Sequence, residues 1–175
     1  MILTLKIRPE DFLPPARVLA EAAGRGVSNA VKRRLVERDS QGRRDGLPRQ
    51  GYWGDAASGV TTAVAGAHAT ITIHKEGVAL HYYGGVVYPT AGHKALAIPK
   101  SAATVGKRPA EFDPSRIKLA LVWPKGKSTG TLRDKTTGDV VYLLVPKATI
   151  APDPAVIPDD TALLDAAENA MEAVL

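Results

Sequence analysis

Apolar residues recur along this chain with two different periods, and the change from one to the other separates helical from extended segments. Over residues 1–7 apolar and polar positions alternate from Ile2 or Leu3 onward, the period-two signature of a short strand. Pro14 and Pro15 follow where proline is tolerated, in the first turn of a helix. From Ala16 the apolar positions Leu19, Ala23, Val27, Ala30 or Val31, and Leu35 then recur at helical spacing. Gly24 and Gly26 each weaken such a helix by up to about 1 kcal/mol relative to alanine. A bend is therefore expected there, with Ser28 capping a second piece and the helix ending near residues 39–42. Residues 40–54 form a long, basic, glycine-rich loop, of a length that in compact domains is usually functional or disordered. A short helix is expected over 55–65, with Asp55 as N-cap and Ala57, Val60 and Val64 on one face.

The middle of the chain reads as extended. Residues 69–74 alternate cleanly, Glu76-Gly77 supplies a turn, and 78–83 is expected to return as the hairpin partner. Gly84-Gly85 interrupts before Val86-Val87-Tyr88 and Pro89, and paired glycines in a strand mark a bulge or a close backbone approach. Residues 94–98 form a strand stopped by Pro99, which suits a sheet edge. Two longer strands are expected at 117–123 and 140–145, with 129–133 and a turn at 134–139 between them. Pro146, Pro152, Pro154 and Pro158 punctuate an extended stretch. A closing helix over about 160–174 carries the stripe Leu163 or Leu164, Ala167, Ala170 or Met171, and Val174, with Asp165, Glu168 and Glu172 on another face. The order predicts an α+β fold: a mainly antiparallel sheet with N-terminal and C-terminal helices packed on one side. Residues 1–150 read as a single α+β domain with a long basic loop at about 40–54. Residues 151–175 read as a proline-rich segment and helix, either part of that domain or an assembly arm.

Composition adds bounds. The 175 residues suffice to bury a core. The apolar stretch at the start is too short for a signal peptide, and no run approaches the roughly 18–20 apolar residues of a membrane-spanning helix. The sequence contains no cysteine, which rules out disulfides and thiolate chemistry and fits synthesis in a cytosol. Charge changes the picture more. Residues 25–49 hold eight cations (Arg25, Lys32, Arg33, Arg34, Arg38, Arg43, Arg44, Arg49) against three acids, a net of +5. Residues 153–175 hold six acids, among them Asp159, Asp160, Asp165, Glu168 and Glu172, and no Lys or Arg, a net of −6. Such asymmetry bears on association. The basic segment is consistent with a solvated helix face and loop, with a protein contact, or with a phosphate backbone. Tyr52 and Trp53 beside it would either stack on bases or join the core, and nine aromatics in all do not favour a stacking platform.

Candidate chemistry is sparse. His68 and His74 are expected on one strand face with His81 across the hairpin, while His93 stands apart; none sits at a metal-ligand spacing such as H-E-x-x-H. Residues 101–107 echo a phosphate-binding loop but place Ser101 where glycine is required and Arg108 where Ser or Thr must follow the lysine. A flexible surface loop is expected there. Ser58 lacks the preceding glycine of a nucleophile elbow. No catalytic, metal or cofactor constellation emerges.

Four stretches, taken in order, resemble a known family. They are Arg49-Gln-Gly-Tyr-Trp-Gly-Asp-Ala-Ala-Ser-Gly-Val60, then Gly77-Val-Ala-Leu-His-Tyr-Tyr-Gly-Gly-Val-Val-Tyr-Pro89, then Lys94-Ala-Leu-Ala-Ile-Pro99 with Gly106-Lys-Arg-Pro-Ala-Glu-Phe112. Their order and spacing over roughly residues 16–125 resemble the virion-morphogenesis proteins of tailed phages and Mu-like prophages, the tail-completion or neck proteins. The loop before Tyr52 departs from that pattern in its wealth of Arg and Gly. The resemblance implies a structural assembly protein of the neck or tail terminus, head–tail joining or tail completion, acting as a ring-forming homo-oligomer. It implies other phage neck or tail proteins as partners, with transient contact with phage DNA. It also implies assembly in the host bacterial cytoplasm, residence in the virion, and no catalytic residue, cofactor, membrane or small-molecule substrate. The working surfaces would be the eight cations of 25–49, the acidic set Asp159, Asp160, Asp165, Glu168 and Glu172, and the edge Ala95, Leu96, Ala97 and Ile98. That edge would either be protected within a monomer or accept a neighbouring strand. The rival expectation is a nucleic-acid-binding accessory protein using 25–49.

Overall fold

The glycines that should have bent the first helix instead sit at its tightest contacts. In the computed structural model, which describes residues 14–41, 46–47, 51–111 and 118–175, α1 runs unbroken over Ala16–Ser40. A Cβ on Gly24 would lie 2.7 Å from the Ala69 Cβ and 3.0 Å from the Thr62 methyl. A Cβ on Gly26 would strike the carbonyl oxygen of Ala166 and lie 2.7 Å from the Ala170 Cβ. Two residues along a helix turn about 200°, so α1 is gripped from two sides. Ser28 caps nothing; it is buried inside the continuous helix. The strand expected over 1–7 lies outside the described residues.

The described elements are α1, α2 (Tyr52–Ser58), β1 (Val60–Ala65), β2 (His68–Ile73), α3 (Val78–Tyr83), β3 (Gly85–Val87), β4 (Leu96–Pro99), β5 (Leu119–Val122), β6 (Gly130–Asp134), β7 (Val140–Val145), β8 (Ala148–Ile150) and α4 (Asp160–Glu172). Every strand pairing is antiparallel and the fold is α+β. Contacts divide the chain into two compact units. One takes α1 up to Arg38, residues from Trp53 through the β1–β2 hairpin to Val78, and Pro154–Leu175; the other takes Asp39–Tyr52 and Ala79–Asp153.

In the first unit, α1 lies between the β1–β2 hairpin and α4. Arg34 near the end of α1 meets Ala155 just before α4, while Gly26 meets Ala166 and Ala170 further along it, so the two helices run antiparallel. Here the expected helix over 55–65 proves wrong. The helix starts earlier, at Tyr52, buries Trp53, Ala56 and Ala57, and ends before Gly59. The β-branched run from Val60 then becomes β1. It pairs from Val60↔Ile73 to Ala65↔His68 around a two-residue turn in which Gly66 adopts φ +59°. Val60, Val64, Ala69, Ile71 and Ile73 share the less exposed face, the one from which Thr62 and Ala69 meet Gly24. The partner of β2 therefore precedes it. Residues 78–83, expected to be that partner, form α3, which buries Val78 and leaves Leu80, His81 and Tyr82 half-buried.

In the second unit, four strands run in the order β4-β7-β6-β5, with Val141, Tyr142 and Leu144 of β7 buried. The Trp123 ring covers Gly130 in the space a side chain would fill, and its Nε1 donates to the Lys127 carbonyl at 2.9 Å. A separate pair joins β3 to β8. The paired glycines serve close approach: a Cβ on Gly84 would lie 2.7 Å from the Pro152 nitrogen. Residues 101–107, expected as a flexible loop, are instead tied to the sheet. The hydroxyl of the buried Thr104 donates to the Ser101 carbonyl at 2.8 Å and reaches the Val141 carbonyl at 3.1 Å; the Tyr142 hydroxyl donates to the Lys107 carbonyl at 2.7 Å.

Two outcomes follow from these contacts. Gly26→Ala should destabilise the protein by about 1–3 kcal/mol in a denaturant titration, although alanine in an open helix would add up to about 1 kcal/mol. A stabilised variant would refute the α1–α4 contact. Burial, and secondarily the Glu111 carboxylate, raise the Tyr142 phenol above its ordinary pKa. The folded state then holds this proton more tightly than the unfolded chain. Its contribution is complete below about pH 10 and is lost as pH rises further. Tyr142→Phe should remove about 1 kcal/mol at neutral pH and leave a shallower loss of stability under alkaline conditions.

Candidate functional site

The described cations of the basic segment do not form one surface. Arg25 and Lys32, seven residues apart and so on one side of α1 about 10.5 Å apart, line an open groove of about 250 Å³ between that helix and β1. Glu21, Ser28, Asn29, Thr62 and Val64 complete its walls. Among the described residues neither Arg25, Lys32 nor Arg33 has an ion-pair partner. Ser28 is largely buried in the helix and its side chain borders the groove. Glu21 at the rim is held by Arg17 at 3.0 Å.

The other described cations have structural work. The Arg34 Nε donates to the Ala155 carbonyl at 2.8 Å, anchoring the approach to α4, and its guanidinium lies 4.0 Å from Glu37. The Arg38 guanidinium sits 4.9 Å from the Trp53 ring centroid, a cation–π contact. Arg43, Arg44 and Arg49 lie outside the described residues. Trp53, at 3% exposure, belongs to the core and offers no face for stacking on a base. Tyr52 is half-buried, its ring 5.8 Å from that of His81, and burial raises its phenol pKa.

The acidic segment behaves differently. Asp159 is spent on the fold: its carboxylate accepts from the Ala162 amide at 2.9 Å and caps α4. The inward stripe of α4 is Leu163, Ala166, Ala167, Ala170, Met171 and Val174, which decides between the alternatives left by the sequence and leaves Leu164 61% exposed. Asp160, Asp165, Glu168 and Glu172 are all exposed and none has an ion-pair partner among the described residues. The basic and acidic helices thus meet within one chain through glycine and alanine, and among the described residues no ion pair joins them.

β4, with Leu96, Ala97 and Ile98, lies at one edge of the four-stranded sheet and Ala95 just precedes it; all four are half-buried. The more exposed edge is the opposite one, not singled out from the sequence. There β5 presents Leu121 at 63% exposure, with Val122 and the following Trp123 also exposed. The signal was available: Leu119–Val122 is an uncharged apolar run closed by Trp123, but alternation alone does not say which strands end a sheet.

No family model, no curated protein and no solved structure matches this chain.

Its capabilities are therefore read from its own side chains. His81 sits on α3, not across the hairpin from His68 and His74, and His74 is held by the Thr61 hydroxyl at 2.9 Å. Among the described residues no three His, Asp or Glu side chains come together as a metal site. No described helix is long and apolar enough to cross a membrane. What the arrangement offers is binding chemistry: an uncompensated cationic groove and an uncompensated acidic stripe. Because Trp53 is core, Trp53→Ala should cost about 3–5 kcal/mol of stability in a denaturant titration. A loss below about 1 kcal/mol would mean that the ring is free for a ligand.

Proposed function

We propose that this chain is a structural, non-enzymatic subunit of a tailed-phage neck or tail terminus, joining copies of itself into a ring during virion assembly. The ordered motifs over roughly residues 16–125, which resemble the virion-morphogenesis proteins, supply the biological setting. One observation carries the mechanical part: a single unit holds a cationic groove and an acidic helix stripe, both without ion-pair partners and facing in different directions. Unlike surfaces that complement each other build head-to-tail contacts, and these close into rings when the rotation per subunit permits. Opposite charge also steers the encounter and fixes orientation. Other neck or tail proteins would then dock on the assembled ring, which would reside in the virion after assembly in the host cytoplasm.

A second reading, a nucleic-acid-binding accessory protein, is favoured by the unpaired Arg25, Lys32 and Arg33. Against it stand the core position of Trp53 and the structural engagement of Arg34 and Arg38. In a ring, a lumen lined by such cations would still meet passing phage DNA.

Purified protein should form closed rings visible by negative-stain electron microscopy, with a fixed subunit number, and sedimentation should show them weakening as salt rises. Monomers at every protein and salt concentration would remove the ring reading. Steeply salt-dependent retention of duplex DNA without self-association would favour the second.

A further inference from the structure

We infer that the α1–β1 groove is the receptor for α4 of a second copy of this chain, with Arg25 and Lys32 meeting Asp165 and Glu172 across the contact. The inference rests on the ring-subunit reading and gives it an interface. The groove carries binding capacity: two cations without ion-pair partners among the described residues, with the Asn29 and Ser28 side chains beside them.

The complement is on the same chain. Thr161, Leu164, Asp165, Glu168 and Glu172 are exposed and fall within an arc of about 100° on α4. Asp165 and Glu172 are seven residues apart, the same step of about 10.5 Å that separates Arg25 from Lys32. Two helices lying side by side would bring both pairs into register together. Leu164, exposed beside these carboxylates, supplies an apolar group for Val64 at the groove wall. Glu21, which would repel a carboxylate, is already held by Arg17.

The acidic helix must come from another molecule. Its alanine face is docked on its own α1 at Gly26, which turns the acidic stripe away from that helix. Each copy therefore keeps an unfilled groove and an unsatisfied α4, so the contact repeats head to tail.

Charge reversal in the full chain tests this. Arg25→Glu/Lys32→Glu and Asp165→Lys/Glu172→Lys should each leave the fold intact by circular dichroism and thermal midpoint, because these side chains make no ion pair among the described residues. Each should weaken self-association in sedimentation velocity by at least about tenfold. An equimolar mixture of the two variants should recover assembly, since each reversed groove then meets a reversed helix; the fourfold variant should recover it alone. Unchanged assembly of both variants overturns the inference while the ring reading stands. Assembly lost and not recovered in the mixture also overturns it, leaving only a general charge effect. Wild-type protein that stays monomeric overturns both readings. If Arg25→Glu/Lys32→Glu abolishes retention of duplex DNA while self-association persists, the groove belongs to nucleic acid and the inference fails.

Discussion

Two glycines on one helix turn hold the first unit together. Gly24 lets Ala69 and Thr62 of the hairpin reach the backbone of α1, and Gly26 lets Ala166 and Ala170 of α4 do the same from the other side. Glycine inside a helix is a local weakness. Here the loss is offset by contacts that any side chain would block, between layers too close for larger residues. The direction of every charge on α1 and α4 depends on this sandwich. With α4 held by its alanine face, its carboxylates point outward; with the hairpin held against Gly24, Arg25 and Lys32 border the space left beside β1.

Several side chains that invite a chemical reading are engaged in holding backbone. Thr104 and Tyr142 bind carbonyl oxygens of the segment that echoes a phosphate-binding loop, and Arg34 binds one at the approach to α4. Carbonyls in such irregular stretches lack the ladder partners that regular elements supply, and burying them unpaired is costly. Polar side chains recruited there are therefore fixed in orientation and withdrawn from other roles. Among the described residues of the first unit, Arg25 and Lys32 in the groove and the carboxylates on the outward stripe of α4 are not so engaged.

Helical periodicity made α1 and α4 legible to within a few residues, because an amphipathic stripe of 3.6-residue period has few other solutions. The late strands were legible too, as short apolar runs bounded by turn residues. Local pattern placed β2 but failed on either side of it, over 55–65 and 78–83. The clean alternation of β2 fits a partner on either side, and the choice fell to the tight turn at Gly66, which gave β2 a partner before it and left Val78–Tyr83 to form a helix. The total charge of each terminal segment was equally plain from the sequence, but the use of individual charges was not. Asp159 became a cap, Arg34 a backbone anchor and Arg38 a lid on Trp53.

By itself, then, the sequence determined the α+β class, the extent of the two long helices, the late strands and the separation of charge between the two ends of the chain. These are local properties, set by side-chain periodicity and composition within a few turns. Tertiary structure alone decided that Gly24 and Gly26 are contacts instead of a bend, that β1 precedes β2 as its partner, and that Arg25 and Lys32 line a groove while Arg34 and Arg38 are drawn to Ala155 and Trp53. Each of those outcomes depends on atoms far apart along the chain, whose approach no local pattern encodes.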